Sequence, residues 1–181
     1  THRGRNQYGQ LGAASPTKTF TPQAAAGGGL EEESVEGVSA GANSACAWAS
    51  GQAWCWGLDA NGQIGDGRGD STNVGALLVD PTTPIAWARV WAYQSHACGL
   101  DDGGTAYCWG LGTYVGISPA PGDVFAPGAP ISPAAPAPAP STWASLSSGC
   151  FASTTLAVGS NSALYGWGAR PPPPAPLAAR A

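Results

Sequence analysis

Apolar and small residues in this chain gather in short runs, each bounded by glycine, serine, asparagine or aspartate. Runs of this length, carrying Trp, Tyr, Val and Cys, predict strands and turns, not helices. Ala45-Cys46-Ala47-Trp48-Ala49 and Ala53-Trp54-Cys55-Trp56-Gly57 flank a Ser50-Gly51 pair. A two-residue turn there pairs Ala49 with Gln52, Trp48 with Ala53, Ala47 with Trp54 and Cys46 with Cys55. A second hairpin, folded about the three-residue loop Asp102-Gly103-Gly104, pairs Asp101 with Thr105 and Cys98 with Cys108. The same arithmetic about Gly159-Ser160-Asn161 predicts a third hairpin that sets Thr154 against Gly166, with no cysteine pair. Both faces of these strands are apolar: Cys46 and Trp48 lie on one, and Ala45, Ala47, Trp54 and Trp56 on the other. A strand buried on both sides needs neighbours on both sides. Small antiparallel sheets packed radially meet that need, which is the propeller solution.

The pattern repeats. Cys46 to Cys98 is 52 residues, Trp56 to Trp109 is 53, Gly9 to Gly62 is 53, and Trp109 to Trp167 is 58. Between the hairpins lies a glycine turn, Gly62-Gln63-Ile64-Gly65, with an earlier copy at Gly9-Gln10-Leu11-Gly12. A fixed period of this length marks a stacked-unit architecture. Arg3-Gly4 holds the Trp-Gly place ahead of the first turn, so the chain starts in the middle of a unit. The predicted organisation is a repeat region over 1–168, with units of about 1–57, 58–110 and 111–168. The last unit carries a Pro/Ala-rich insertion at 119–140, and residues 169–181 form a Pro-rich tail. The expected fold is all-β, a partial propeller of about three blades of short antiparallel strands.

Residues directly opposed at a non-hydrogen-bonded position have Cα atoms about 4.5 Å apart, within reach of a disulfide. Cys46–Cys55 and Cys98–Cys108 are therefore expected as cross-strand disulfides, contributing roughly 2–3 kcal/mol each. Two pairs of buried, reduced cysteines behaving as small hydrophobes are the alternative reading. Zinc fits less well, because metal ligands come in close pairs and these pairs are spread across two different sheets. Cys150 lies outside the register, and is either a free thiol or bonded to something beyond this chain.

At these positions the chain resembles the RCC1 repeat family. Val35, Val38, Gly41, Cys46, Gly51 and Trp56-Gly57 fill the repeat once. Trp87, Val90, His96, Cys98, Leu100, Gly104, Tyr107 and Trp109-Gly110 fill it again. Trp143, Leu146, Gly149, Leu156, Gly159, Tyr165 and Trp167-Gly168 follow a third time. The resemblance covers about residues 3 to 168 and implies a seven-bladed propeller in the complete fold. Three units do not close such a ring, and open ends expose apolar sheet faces. The remaining blades are expected from the same longer chain or from another copy. At His96 the resemblance implies a structural hydrogen bond. Tyr93 departs from the family, standing where its glycine sits, and Leu111-Gly112-Thr113-Tyr114-Val115-Gly116 replaces the glycine turn.

Charge and composition narrow the function. The net charge is −4 and Lys18 is the single lysine, so the concentrated basic surface that nucleic acid requires is missing. No apolar run reaches membrane-spanning length. Paired cysteines in a chain of low charge favour the extracellular space or secretory lumen over cytoplasm and nucleus. Ala135-Pro136-Ala137-Pro138-Ala139-Pro140 and Pro171–Pro174 favour polyproline II. Pro127–Pro140 and the tail are expected to be spacer, not core. In composition these tracts resemble plant and algal extracellular glycoproteins, which implies hydroxylation and glycosylation.

No catalytic constellation, metal set or cofactor motif is present: Glu31-Glu32-Glu33 beside Gly27-Gly28-Gly29 reads as a solvated loop, and His2 as a terminus. Arg68-Gly69-Asp70-Ser71, an Arg-Gly-Asp sequence in a loop, is a candidate interaction site beside the plainer reading of ordinary turn residues. The chain is thus expected to be a non-catalytic protein-interaction scaffold with unknown protein partners. The family resemblance adds two alternatives, a nucleotide-exchange regulator of a small GTPase and a secreted enzyme inhibitor.

Overall fold

The structure, a computed structural model, describes residues 4–13, 18–19, 24–69, 72–81, 83–116, 122–128, 130–131, 140–147 and 154–168. Its strands form four antiparallel sheets in series. A short leading sheet pairs β1 (Gly4–Arg5) with β2 (Lys18–Thr19). The second sheet runs β3 (Gly37–Ala40), β4 (Ser44–Ala49), β5 (Gln52–Leu58) and β6 (Thr72–Leu78), in chain order. The third contains β7 (Trp87–Ala92), β8 (His96–Asp101) and β9 (Ala106–Gly110). The fourth contains β10 (Trp143–Leu146), β11 (Thr154–Gly159) and β12 (Leu164–Gly168). One 3-10 turn, Leu30–Glu32, precedes β3. This is an all-β chain with the stacked sheets of a partial propeller.

Turn length sets register. Ser50 at φ 50° and Gly51 at φ 76° make a left-handed two-residue turn, which puts Cys46 opposite Cys55 and Ala47 opposite Trp54. The loop at 102–104 puts Cys98 opposite Cys108. The third hairpin departs from the expected register. Its loop is Ser160-Asn161-Ser162, with Ser162 at φ 64° and Gly159 N–H bonded to the Ala163 carbonyl at 3.0 Å. Starting the loop one residue later shifts the pairing by two, so Leu156, not Thr154, faces Gly166. Leu156 and Gly166 therefore hold the places that cysteines hold in the two sheets before.

The cores lie between sheets. Cys46, Ala53 and Cys55 on the second sheet meet Trp87, Val90, Ala92, Ala97 and Trp109 on the third. Cys98, Leu100, Ala106 and Cys108 on the opposite face of the third meet Trp143, Leu146 and Ala157 on the fourth. Each seam thus places a cysteine face against an aromatic face. Two ring pairs repeat almost unchanged, Trp87–Trp109 with centroids at 5.6 Å and Trp143–Trp167 at 5.5 Å.

The insertion is a second point of correction. Pro127, Ile131 and Pro140 are buried, Ile131 inside the core of the second seam. This segment stands along β9 where the second sheet has its fourth strand. Its described residues make two isolated bridges, Tyr107 to Pro130 and Gly110 to Val124. Prolines supply no N–H for a ladder, so among the described residues the third sheet stops at three strands. The Ala-Pro alternation through Ala139, the Pro171–Pro174 run, His2 and Cys150 lie outside the described residues.

Candidate functional site

The repeated contact that joins units is a tryptophan laid on a glycine turn. Trp56 Nε1 donates to the Gln10 carbonyl at 3.0 Å, and Trp109 Nε1 to the Gln63 carbonyl at 3.1 Å. The turn glycines Gly12, Gly65 and Gly116 have φ of 73°, 82° and 75°, a region other residues enter at a cost. A Cβ at Gly65 would lie 2.5 Å from Trp109 Nε1, and one at Gly116 2.4 Å from Trp167 Cδ1. Glycine is therefore required twice over, by conformation and by the ring against it. The turns are held shut from within: Asn6 Oδ1 accepts from Leu11 N–H at 2.9 Å, and Asp59 Oδ1 from Ile64 N–H at 2.8 Å. The turn over Leu111–Gly116 is shorter, yet Val115 is fully buried and Gly116 still takes the indole. What is lost there is the bond, since Trp167 Nε1 is buried without a hydrogen-bond partner.

The two predicted cysteine pairs are brought together. Their Cα atoms are 4.1 and 4.0 Å apart, with sulfurs at 2.13 and 2.05 Å for Cys46–Cys55 and Cys98–Cys108. All four are essentially inaccessible, covered by the following sheet. Beside the second pair sits a polar clasp. His96 Nε2 is 2.9 Å from Thr155 Oγ1 of β11, and the ring stacks on Tyr93 at 4.3 Å. Tyr93 in turn donates its hydroxyl hydrogen to the Ser147 carbonyl. Burial lowers the His96 pKa to about 4 and raises that of Tyr93 to about 12. A neutral imidazole sealed from water bonds the third sheet to the fourth. Thr155 was not legible beforehand, because its partner lies 59 positions away.

The hairpin turns at one end of the sheets differ from unit to unit in length and sequence. Each hairpin turn bonds to the segment leading into the next sheet, Trp87 N–H to the Gly51 carbonyl and Trp143 N–H to the Gly104 carbonyl, both at 2.8 Å. Glu33 and Glu36 accept hydrogen bonds from Ser50 there, at 2.9 and 3.0 Å, and Asp101 and Asp102 stand on the neighbouring turn. Glu31, with its pKa lowered by the Gly27 N–H bonded to it, and Glu32 extend this rim. In the loop after the Gly62–Gly65 turn, Arg68 and Gly69 are exposed, while Asp70 and Ser71 lie outside the described residues. A Cβ at Gly69 would lie 2.5 Å from the Phe125 ring, so the insertion packs onto this loop. Among the described residues, no three His, Cys, Asp or Glu side chains gather as a metal site.

No protein-family profile matches the chain, and neither does any curated protein. Solved structures do. Human WBSCR16 aligns with a TM-score of 0.78 at 19% identity, over 92% of this chain and 42% of that one. Yeast RCC1 (Prp20), solved with Kap60 bound to it, aligns at 0.72 and 20% identity, over 91% and 38%. A Saccharomyces cerevisiae Prp20p structure, whose binding to Gsp1p and histones was studied with it, aligns at 0.60 and 20% identity, over 71% and 33%. The fold is an RCC1-like propeller. This chain spans about two fifths or less of the structures it resembles.

Proposed function

We propose that the chain is a non-catalytic scaffold for protein–protein interaction, working in an oxidising compartment with both cysteine pairs bonded. The observation that carries the reading is the division of labour between sheets and loops. The seams reuse the same register and the same aromatic positions, whereas the loops at the hairpin-turn end differ in length, charge and sequence from unit to unit. Specificity in such scaffolds resides in loops held by a rigid frame. The acidic rim formed by Glu31, Glu32, Glu33, Glu36, Asp101 and Asp102 supports a basic protein partner and weighs against nucleic acid. Mass spectrometry of the natively produced protein, without reductant, tests the compartment. Loss of four hydrogens, mapped to Cys46–Cys55 and Cys98–Cys108, is expected, and free thiols at these positions would overturn it.

A second reading is regulation of a small GTPase, favoured by the fold shared with yeast Prp20p, for which binding to Gsp1p is recorded. That is an argument from fold alone. Release of a fluorescent guanine nucleotide from a panel of small GTPases separates the two readings. No acceleration is expected; acceleration by the chain establishes the second reading and removes the first.

A further inference from the structure

We propose that the groove between the second and third sheets, at their hairpin-turn end, anchors an arginine side chain of a protein partner. The proposal rests on the scaffold reading and names what a basic partner would insert. Three stretches of chain form the groove: the turn at Gly51, the end of β6, and the connection leading into β7. Each is pinned by a backbone bond. Trp87 N–H donates to the Gly51 carbonyl at 2.8 Å, Val79 N–H to the Ala53 carbonyl at 2.9 Å, and Asp80 N–H to the Gly65 carbonyl at 2.9 Å. Both sheets that form the groove are present, so its shape is set within this chain. Ala53, Val79 and Trp87 are the buried part of its lining, while Leu78, 42% exposed, and half-buried Ile85 form its sides. The matching place in the next seam is tighter. A Cβ at Gly104 would lie 3.1 Å from Thr142 Cβ, whereas one at Gly51 would meet nothing nearer than Ala86 at 3.9 Å.

Size and charge choose the occupant. The groove has a volume of about 210 Å³, below the roughly 300–1,000 Å³ of small-molecule pockets, which is room for one side chain. Its lining is mostly apolar, with the exposed residues Gln52 and Asp80 adding an amide and a carboxylate. Among the described residues, no hydrogen bond or ion pair engages the Asp80 carboxylate, and no lysine or arginine lines the groove. Further negative charge stands at its two margins. Glu36 accepts from Ser50 N–H on one side, and Asp102, on the other, bonds the Ala86 carbonyl through its N–H at 3.0 Å. An apolar trough with a carboxylate in its wall suits a side chain that is apolar along its stem and cationic at its tip. Arginine suits it better than lysine. Its planar fork gives two donors to one carboxylate and leaves others for a neighbouring amide oxygen such as that of Gln52.

Amide NMR of the isotope-labelled, oxidised chain, titrated with the capped peptide Ser-Ala-Arg-Ala-Ser, tests this. Signals of Gly51, Gln52, Asp80 and Ile85 should move together, with a dissociation constant of roughly 1 mM, the level of one anchored side chain. Asp80→Asn should weaken binding about tenfold, the worth of one hydrogen bond to a charged group, and should keep the wild-type dispersion of amide signals. Glu32→Gln, on the acidic rim but outside the groove, should weaken it by less than about twofold, as a screened surface charge does. The same peptide with lysine in place of arginine should bind more weakly. No movement at about 10 mM peptide, ten times the expected constant, overturns the proposal, as does movement confined to other residues. Equal losses in Asp80→Asn and Glu32→Gln would mean that the acidic surface as a whole attracts the peptide, and a lysine peptide bound as tightly would remove the arginine assignment; either outcome overturns it. The scaffold reading is judged separately, by disulfide mapping and nucleotide release, neither of which involves the groove.

Discussion

Two neighbouring seams of this molecule solve one packing problem with different bonds. Between the second and third sheets, Trp109 lies on Gly65 and its indole N–H reaches the Gln63 carbonyl, while Ser39 Oγ accepts from Ala92 N–H at 3.1 Å beside the apolar core. Between the third and fourth, Trp167 lies on Gly116 with its N–H unbonded, and polar cohesion comes from His96–Thr155 and Tyr93–Ser147. Ring on glycine is retained in both, whereas the hydrogen bond has moved. Shape is therefore what the repeat preserves, and polar satisfaction is local improvisation. That ordering follows from magnitudes, because burying an indole is worth several times the net value of one neutral hydrogen bond.

The strongest way to break this comparison is to remove the rings. Trp109→Ala should cost about 3–5 kcal/mol, since a fully buried aromatic leaves a cavity above Cys46–Cys55. Trp167→Ala should cost about 2 kcal/mol, because that ring is only partly buried and its N–H gives up no bond. Urea denaturation of the two variants measures the difference. Equal losses would mean that the seams are not graded as their geometry indicates.

Acid should act on the second seam through His96. His96 has a folded pKa of about 4 against 6.5 when free, so the unfolded chain binds its proton first. Stability attributable to this group is complete above pH 6.5, falls as pH drops through the interval, and is gone near pH 4. The loss approaches about 3 kcal/mol if the full difference is expressed. The His96→Gln variant keeps a donor near Thr155 without the titration, and its stability should be flatter over that interval than wild type. Parallel curves for the two proteins would show that carboxylates, not His96, govern the acid response.

The same contrast explains what could be read from residues alone. Hairpin register was legible wherever glycine fixed the loop, as at Ser50-Gly51 and at Gly103-Gly104. It was misplaced at Gly159, which looks like a turn residue but ends a strand, with Ser162 taking the left-handed position three residues later. Tyr93 looked like a departure from the repeat and is better described as half of the His96 clasp, visible only once β10 and β11 are folded against it. The insertion looked like spacer because alternating prolines cannot form a ladder. Composition does not reveal that Ile131 enters a core from such a segment. Local pairing, in short, is written in turn chemistry, whereas contacts across a seam join residues some fifty positions apart and leave no local signal.

The smallest effect is also the sharpest test of equivalence between sheets. If Leu156 and Gly166 truly stand where cysteines stand elsewhere, then Leu156→Cys with Gly166→Cys should form a third cross-strand disulfide. The pair is separated by ten residues, the same as Cys98 and Cys108, and Gly166 does not have a positive φ. A Cβ added at Gly166 would lie 2.9 Å from Leu156 Cδ2, an atom the double substitution removes, and at an ordinary 3.5 Å from the Thr155 carbonyl oxygen. Loop closure of this size is worth roughly 2–3 kcal/mol, reduced by the loss of a half-exposed leucine, so a net gain of about 2 kcal/mol is expected. Air-oxidised protein should show the bond by peptide mapping and lose the added stability on reduction. A pair that stays reduced would mean that Leu156 does not face Gly166, as with a loop at Gly159-Ser160-Asn161 and Thr154 opposite Gly166, and the equivalence between sheets would fail with it.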